Sequence, residues 1–422
     1  MNRQFLSNVL VFAALMVSGF TYSTSVQAQD MLYGCDPFSS DTWGSILPSL
    51  EKKGVSFSAD ITQFYFGVLE GGLEETSRYA AHGDYVVNFD AGKLGIQDGL
   101  FLKIRAEHHL GESINDRTGA FLPAVMRADL PVRDSENIYV TNFLFTQFLS
   151  SRFAVFAGKL DTIDGDLNAY AHGRGKTQFS NVGFIINPVA LRTIPYSTLG
   201  AGFTLLGQEG LPVFTYTLLN PTDTTRTTGL GELFEEGVAM SAELRLLTAF
   251  GGFPGHHLFG GTWSSREYAG LDQDPRILFP NVPISQESNS WSLYWNFDQA
   301  LVTDCWNPAA HWGVFGRAGI ADSDTNPISY FLSLGLGGKG LLNNRPNDSF
   351  GLGYFYSGTS GDIAPFIERL VGGIGDGQGI ECFYRVQITE NIYVTPDLQI
   401  VIPARDQVDT AYIAGLRALL TF

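Results

Sequence analysis

Polar and apolar residues alternate with a period of two along most of this chain, and the alternation is cleanest between Ile380 and Phe422. In a first run Cys382, Tyr384, Val386 and Ile388 share one side, and Glu381, Phe383, Arg385 and Gln387 the other. In a second, Ile392, Val394, Pro396, Leu398, Ile400 and Ile402 lie opposite Tyr393, Thr395, Asp397, Gln399 and Val401. In the last, Tyr412, Ala414, Leu416, Ala418, Leu420 and Phe422 lie opposite Ala411, Ile413, Gly415, Arg417, Leu419 and Thr421. Successive side chains of a strand point to opposite faces, so each run predicts a strand with one apolar face and one face able to carry charge. A soluble sandwich would bury the first face, whereas a membrane barrel turns it to lipid and keeps the second around a wet lumen. Length favours the barrel, because the final strand runs to about 13 residues where soluble strands average ~5–6. Ending on aromatic Phe422 is also typical of outer-membrane barrels, and it implies recognition by the barrel assembly machinery.

The same period predicts thirteen earlier strands: 55–67, 84–96, 100–110, 138–149, 152–159, 199–206, 212–219, 237–247, 257–267, 288–299, 311–320, 328–339 and 349–356. The predicted fold is therefore all-β, a transmembrane antiparallel barrel of 16 strands over residues 54–422. Leu100 to Leu110 sets Lys103, Arg105, Glu107 and His109 opposite Leu102, Ile104, Ala106 and His108. A charge at the bilayer midplane costs ~2–4 kcal/mol for Arg or Lys, so the charged side belongs in a lumen. Trp291, Leu293, Trp295 and Phe297 lie opposite Ser292, Tyr294, Asn296 and Asp298 in the same manner, and Met240, Ala242 and Leu244 opposite Ser241, Glu243 and Arg245.

Two long polar stretches interrupt the strands. Residues 111–137 read as an extended loop. Residues 160–197 hold Asp161, Asp164, Tyr170, Arg174 and Phe179 and are long enough to be functional, so they are expected to fold inward as a constriction loop. Before the strands, Trp43, Ile46, Leu47 and Leu50 recur at helical spacing around Pro48, which predicts a short helix in an N-terminal periplasmic segment, 29–53. Residues 1–28 have the form of a secretory signal: one charge, Arg3, an apolar run from Val9 to Phe20, and Val26-Gln27-Ala28 as cleavage site. Export to the outer membrane of a Gram-negative-type bacterium follows.

Composition narrows the chemistry. The 26 Lys and Arg against 43 Asp and Glu give a net charge of −17, which argues against a nucleic-acid partner. Mean hydropathy is only +0.04, as expected when every second strand residue meets lipid. Three cysteines, Cys35, Cys305 and Cys382, match no zinc spacing, and a Cys305–Cys382 bridge is left open. His108-His109 and His256-His257 are adjacent in strands and point apart, so neither pair suits a metal. Gly335 to Gly340 has G-x-G-x-x-G spacing but leads into no helix, and no H-E-x-x-H, G-x-S-x-G or P-loop is present. No enzyme activity, catalytic residue, metal or cofactor is expected.

Several blocks together resemble the OprB-type carbohydrate-selective porins: Ala157 to Asp161, Gln178 to Asn181, Tyr196 to Ala201, Gly313 to Gly319, Glu381 to Gln387, Thr395 to Gln399, and Gly415-Leu416-Arg417. The resemblance implies a 16-stranded outer-membrane barrel that passes small sugars, its partners being those sugars, membrane lipid and, as a monomer or homotrimer, its own copies. A sugar needs hydrogen-bonding charges beside aromatic surface. The expected pore-lining set is therefore Lys103, Arg105, Glu107, Glu243, Arg245, Arg317, Glu381, Arg385, Asp397 and Arg417 from the wall, with Asp161, Asp164, Tyr170, Arg174 and Phe179 from the loop. A general or ion-selective porin, or less readily a barrel enzyme, are the alternatives.

Overall fold

A sheet that is apolar along its whole outer face can leave no unpaired edge in lipid, and here the strands close on themselves. The protein is described by a computed structural model covering residues 43–207, 210–303, 310–342, 344–363 and 365–422. The helix Trp43–Lys52 contains Pro48 and leads into β1 (Val55–Gly72). There follow β2 (Ser77–Asp90), β3 (Leu100–Gly111), β4 (Tyr139–Ser150), β5 (Phe153–Asp161), β6 (Ser197–Leu206), β7 (Pro212–Leu219), β8 (Ala239–Phe250) and β9 (Phe253–Ser264). A two-residue ribbon, β10 (Tyr268–Ala269) with β11 (Gln286–Glu287), sits in the next connection. The barrel resumes with β12 (Ser290–Thr303), β13 (His311–Ala321), β14 (Ile328–Lys339), β15 (Ser349–Thr359), β16 (Gly377–Thr389), β17 (Ile392–Ile402) and β18 (Asp409–Thr421). Each strand pairs antiparallel with its neighbours, and β18 closes on β1 from Asp60↔Thr421 to Gly72↔Asp409.

Sixteen strands thus make the barrel, the expected number. Among the described residues no helix is long and apolar enough to cross a membrane. Their outer face carries Leu332, Leu334 and Leu398, 53%, 60% and 61% exposed, a band that only lipid would cover without cost. Cys382 is exposed on that face, while Leu416 is shouldered by Tyr65 and Pro396, its register partners, and is nearly covered.

Several boundaries differ from the expectation, each for a local reason. The second strand starts at Ser77 and stops at Asp90, where the carboxylate accepts from Gly92 and Lys93 N–H and turns the chain. The alternation that continues to Ile96 belongs to that turn. Strands β8 and β9 extend toward each other to a two-residue turn, Gly251-Gly252, at φ +62° and +84°, the positive-φ geometry of a tight hairpin. The segment 111–137 is not extended. It folds inward, and Ile114, Ala124, Val125 and Ala128 pack on Phe64, Phe66, Val401 and Ile413 of the wall. The 1–28 segment, Cys35 and Cys305 lie outside the described residues.

Candidate functional site

The longest connections, 112–138, 162–196, 220–238, 265–289 and 360–376, all lie at the end opposite the one where β18 finishes. Two of the long ones, 112–138 and 162–196, descend into the barrel and bind each other there, through Met126 N–H to Ser180 O at 3.0 Å and Val182 N–H to Pro123 O at 3.1 Å. What draws them in is charge on one wall and ring volume on the other.

On the charged wall, register sets three carboxylates side by side: Asp60 of β1 opposite Asp84 of β2, and Asp84 opposite Glu107 of β3. Strands are ~4.8 Å apart, so such a row is stable only with cations against it. The loops supply them. Lys176 lies 2.7 Å from both Asp60 and Asp84, and Arg127 bonds Glu107 and approaches Asp84 at 3.4 Å. Arg174 reaches Asp161, Asp164 and, at 3.5 Å, Glu107, while the Tyr196 hydroxyl donates to Glu107. From β3, Arg105 bonds Asp84 at 3.1 Å and Asp161 and Asp164 at 2.8 Å, and Lys103 bonds Asp164 at 2.6 Å. Five carboxylates, Asp60, Asp84, Glu107, Asp161 and Asp164, therefore face five cations, Lys103, Arg105, Arg127, Arg174 and Lys176. Burial alone would raise the Asp164 carboxyl, but Arg174, Arg105 and Lys103 hold it well below the usual range.

The wall from β13 to β18, which continues from β1, receives the loop on rings and through hydrogen bonds to its backbone. Phe179 sits among Phe184, Phe383 and Phe315 at centroid distances of 4.6, 4.9 and 5.2 Å. Room for these rings comes from inward-facing glycines. A Cβ on Gly353 would stand 2.5 Å from Phe184, one on Gly351 2.7 Å from Phe179, and one on Gly337 2.9 Å from Tyr170. Above and below the rings, side chains hold loop backbone. Glu381 accepts from Ser180 N–H at 2.6 Å and Asn181 N–H at 2.9 Å. Arg317 donates to the carbonyls of Ala171, Phe184 and Ile185 and to Asp166. Arg417 donates to Gly175 and Gln178 carbonyls, 3.9 Å from Asp397, which accepts from Ser180 Oγ and Gln399.

These contacts sort the expected pore-lining residues. Arg105, Glu107, Asp161, Arg317, Glu381, Asp397 and Arg417 are buried, as are Tyr170 and Phe179, so the open lumen is not what they line; they hold the two loops. Phe179 in particular is a core residue and offers no free ring face, which corrects its expected role. Arg245 is buried as well, donating to Gly165 O at 3.2 Å. Solvent reaches Lys103, Asp164 and, less, Arg174, together with half-buried Glu243, which accepts from Tyr294 at 2.7 Å, and half-buried Arg385. Reading the sequence missed Asp60, Asp84, Arg127, Lys176 and Asp166. Asp60 and Asp84 share the inward parity of their strands and were findable; Arg127 lies in a segment whose infolding has no local signal.

The chain matches the family described as carbohydrate-selective porin, OprB family, over residues 74–422. Porin B of Pseudomonas aeruginosa is 28% identical over 192 residues, 40% of this chain and 41% of that protein, so the match spans less than half of that relative. Among solved structures, the high-pH structure of Pseudomonas putida OprB aligns with a TM-score of 0.77 at 20% identity, covering 90% of this chain and 97% of that one. The low-pH structure of the same protein aligns at 0.54 and 16%, covering 92% and 100%.

Proposed function

This chain belongs to the OprB family of carbohydrate-selective porins, and on that premise we propose that it passes small carbohydrates by diffusion across an outer membrane, after export and removal of residues 1–28. What supports the proposal is that loops 112–138 and 162–196 fold into the barrel while the inward side chains Lys103, Asp164, Arg174 and Glu243 keep part of their surface exposed to solvent. A neutral sugar carries hydroxyls that both donate and accept, and a surface of alternating, mutually compensated charges can meet them without retaining an ion. Conduction requires release, so binding is expected near millimolar, about −4 kcal/mol.

Purified protein in planar bilayers, titrated with neutral mono- and disaccharides, tests this. Ion current should be blocked by sugars with constants that differ among them, and liposomes should swell at matching relative rates. Sugar-independent current with swelling that follows solute size alone would replace the reading with that of a general or ion-selective porin.

A further inference from the structure

Among the described residues, the charged side chains on the inner wall are mostly matched by charge, held by a neighbouring hydroxyl or spent on loop backbone, and one pair of cations is an exception. The exception lies on the short-turn side of the loop plug. Lys339 of β14 is opposite Ser349 of β15, and Ser349 is opposite Arg385 of β16. All three point inward, because Gly337, two residues up from Lys339, abuts Tyr170, and Phe383, two residues up from Arg385, packs on Phe179. His311 continues the row beside Lys339, next to the last β13–β14 pair, Trp312↔Gly338, with Nδ1 3.3 Å from the Tyr170 hydroxyl.

Among the described residues neither Lys339 nor Arg385 has a carboxylate within ion-pair distance. Asp348, on the same rim, is already held by Arg345 at 2.7 and 3.0 Å, by Gln387 N–H and by the Tyr384 hydroxyl. The Arg385 guanidinium lies 3.5 Å over the Tyr393 ring, which orients it without neutralising it. Ser349 Oγ and Arg385 Nε are buried and have no hydrogen-bond partner. A buried donor left unmade is costly, and two cations two strand spacings apart, ~10 Å, with a hydroxyl between them are arranged to receive an anionic group.

We propose that Lys339, Ser349 and Arg385 form an anion subsite that favours carboxylate-bearing monosaccharides over neutral ones. The inference rests on the sugar-porin reading and narrows its substrate class. Rows of Lys and Arg around a pore select anions by the same physics. Two partly exposed cations, each contributing a modest interaction, should make a uronate bind roughly five- to ten-fold more tightly than its neutral parent sugar.

Block of ion current by glucuronate and by glucose, with acetate as a carboxylate lacking the sugar, is the measurement. The expected result is a lower block constant for glucuronate than for glucose in 0.1 M salt, and a ratio that shrinks in 1 M salt, where the screening length falls to ~3 Å. Lys339→Gln with Arg385→Gln, checked for folding by heat-modifiable migration, should bring the glucuronate-to-glucose ratio toward one. Equal constants in the native chain, a ratio that survives in the double variant, or acetate blocking as well as glucuronate would each overturn the sugar-acid subsite while leaving the neutral-sugar reading intact. Absence of block by any sugar, with ions still conducted, would remove both.

Discussion

Arg105 and Arg127 decide what a charged lumen residue does here. Both are buried, each touches at least two carboxylates, and Arg127 ties loop 112–138 to the wall that Arg105 shares with loop 162–196. Removing one partner from a buried ion pair costs ~3–5 kcal/mol, because the remaining charges stay desolvated. Arg127→Met is therefore expected to free loop 112–138 while the barrel stays closed. Conductance should rise, sugar block should weaken, and the loop should become accessible to protease added outside; unchanged conductance with the loop still protected would show that the ion pair is not what holds it. His172 gives the same loop system a dependence on pH. Burial holds its imidazole below the ordinary value, with Arg174 and Arg317 acting in the same direction against Asp166 and a hydrogen bond to Ile185 O. A folded pKa below the unfolded value of ~6.5 means that the stability is fully present above that pH and is lost as pH falls from there through the lowered folded value. Burial would raise the Asp164 and Asp166 carboxyls, but their arginine partners hold both below the ordinary value. Channel noise should increase as pH is lowered below ~6.5, and His172→Gln should lessen that rise; an equally steep rise in the variant would assign it elsewhere.

At the scale of elements, loop and strand are fitted to each other by missing side chains. Strands β13 to β16 alternate inward glycines with inward Phe315, Phe331, Phe355 and Phe383, so rings from the wall and from the loop interlock where a uniform row of large residues would collide. Adding volume to such a packed site costs about 1–3 kcal/mol. Gly353→Val should displace Phe184 and loosen the loop, lowering the thermal midpoint of the folded barrel, whereas Leu352→Val, one residue along and facing outward, should change it little. Similar shifts for the two would argue that the rings do not bear on stability. The blocks that resemble the family come together at this contact. Gln178 to Asn181 lies on Glu381, Phe383, Asp397 and Arg417, and Arg317 reaches the loop from the Gly313 to Gly319 run.

For the molecule as a whole, closure joins the first strand to the last, and the Phe422 amide donates to Ala59 O at 2.9 Å beyond the last β1–β18 pair. Phe422→Asp places a charge at the seam that must form for the barrel to exist. Heat-modifiable folded protein in the outer membrane should fall several-fold with export unaffected, measured by quantitative blotting of membrane and periplasmic fractions. Normal folded yield would rule out a role for the terminal aromatic residue in assembly.

Period-two alternation determined the strand count and the side to which each wall residue points, because pleating imposes that period on any strand with two different surroundings, and the length of the final strand with its closing aromatic residue then chose a barrel over a sandwich. The alternation could identify Arg105, Glu381 and Arg417 as inward. Whether an inward residue meets water or another part of the chain depends on where loops 112–138 and 162–196 go, and nothing periodic encodes that path. Their descent is decided by partners remote in sequence, such as Lys176 with Asp60 and Ser180 with Glu381, whose attraction exists only after the barrel has brought the strands into one wall. Only the tertiary structure therefore turned most of the expected sugar contacts into loop fastenings, and left Lys339 and Arg385 as inward cations with no carboxylate within ion-pair distance among the described residues.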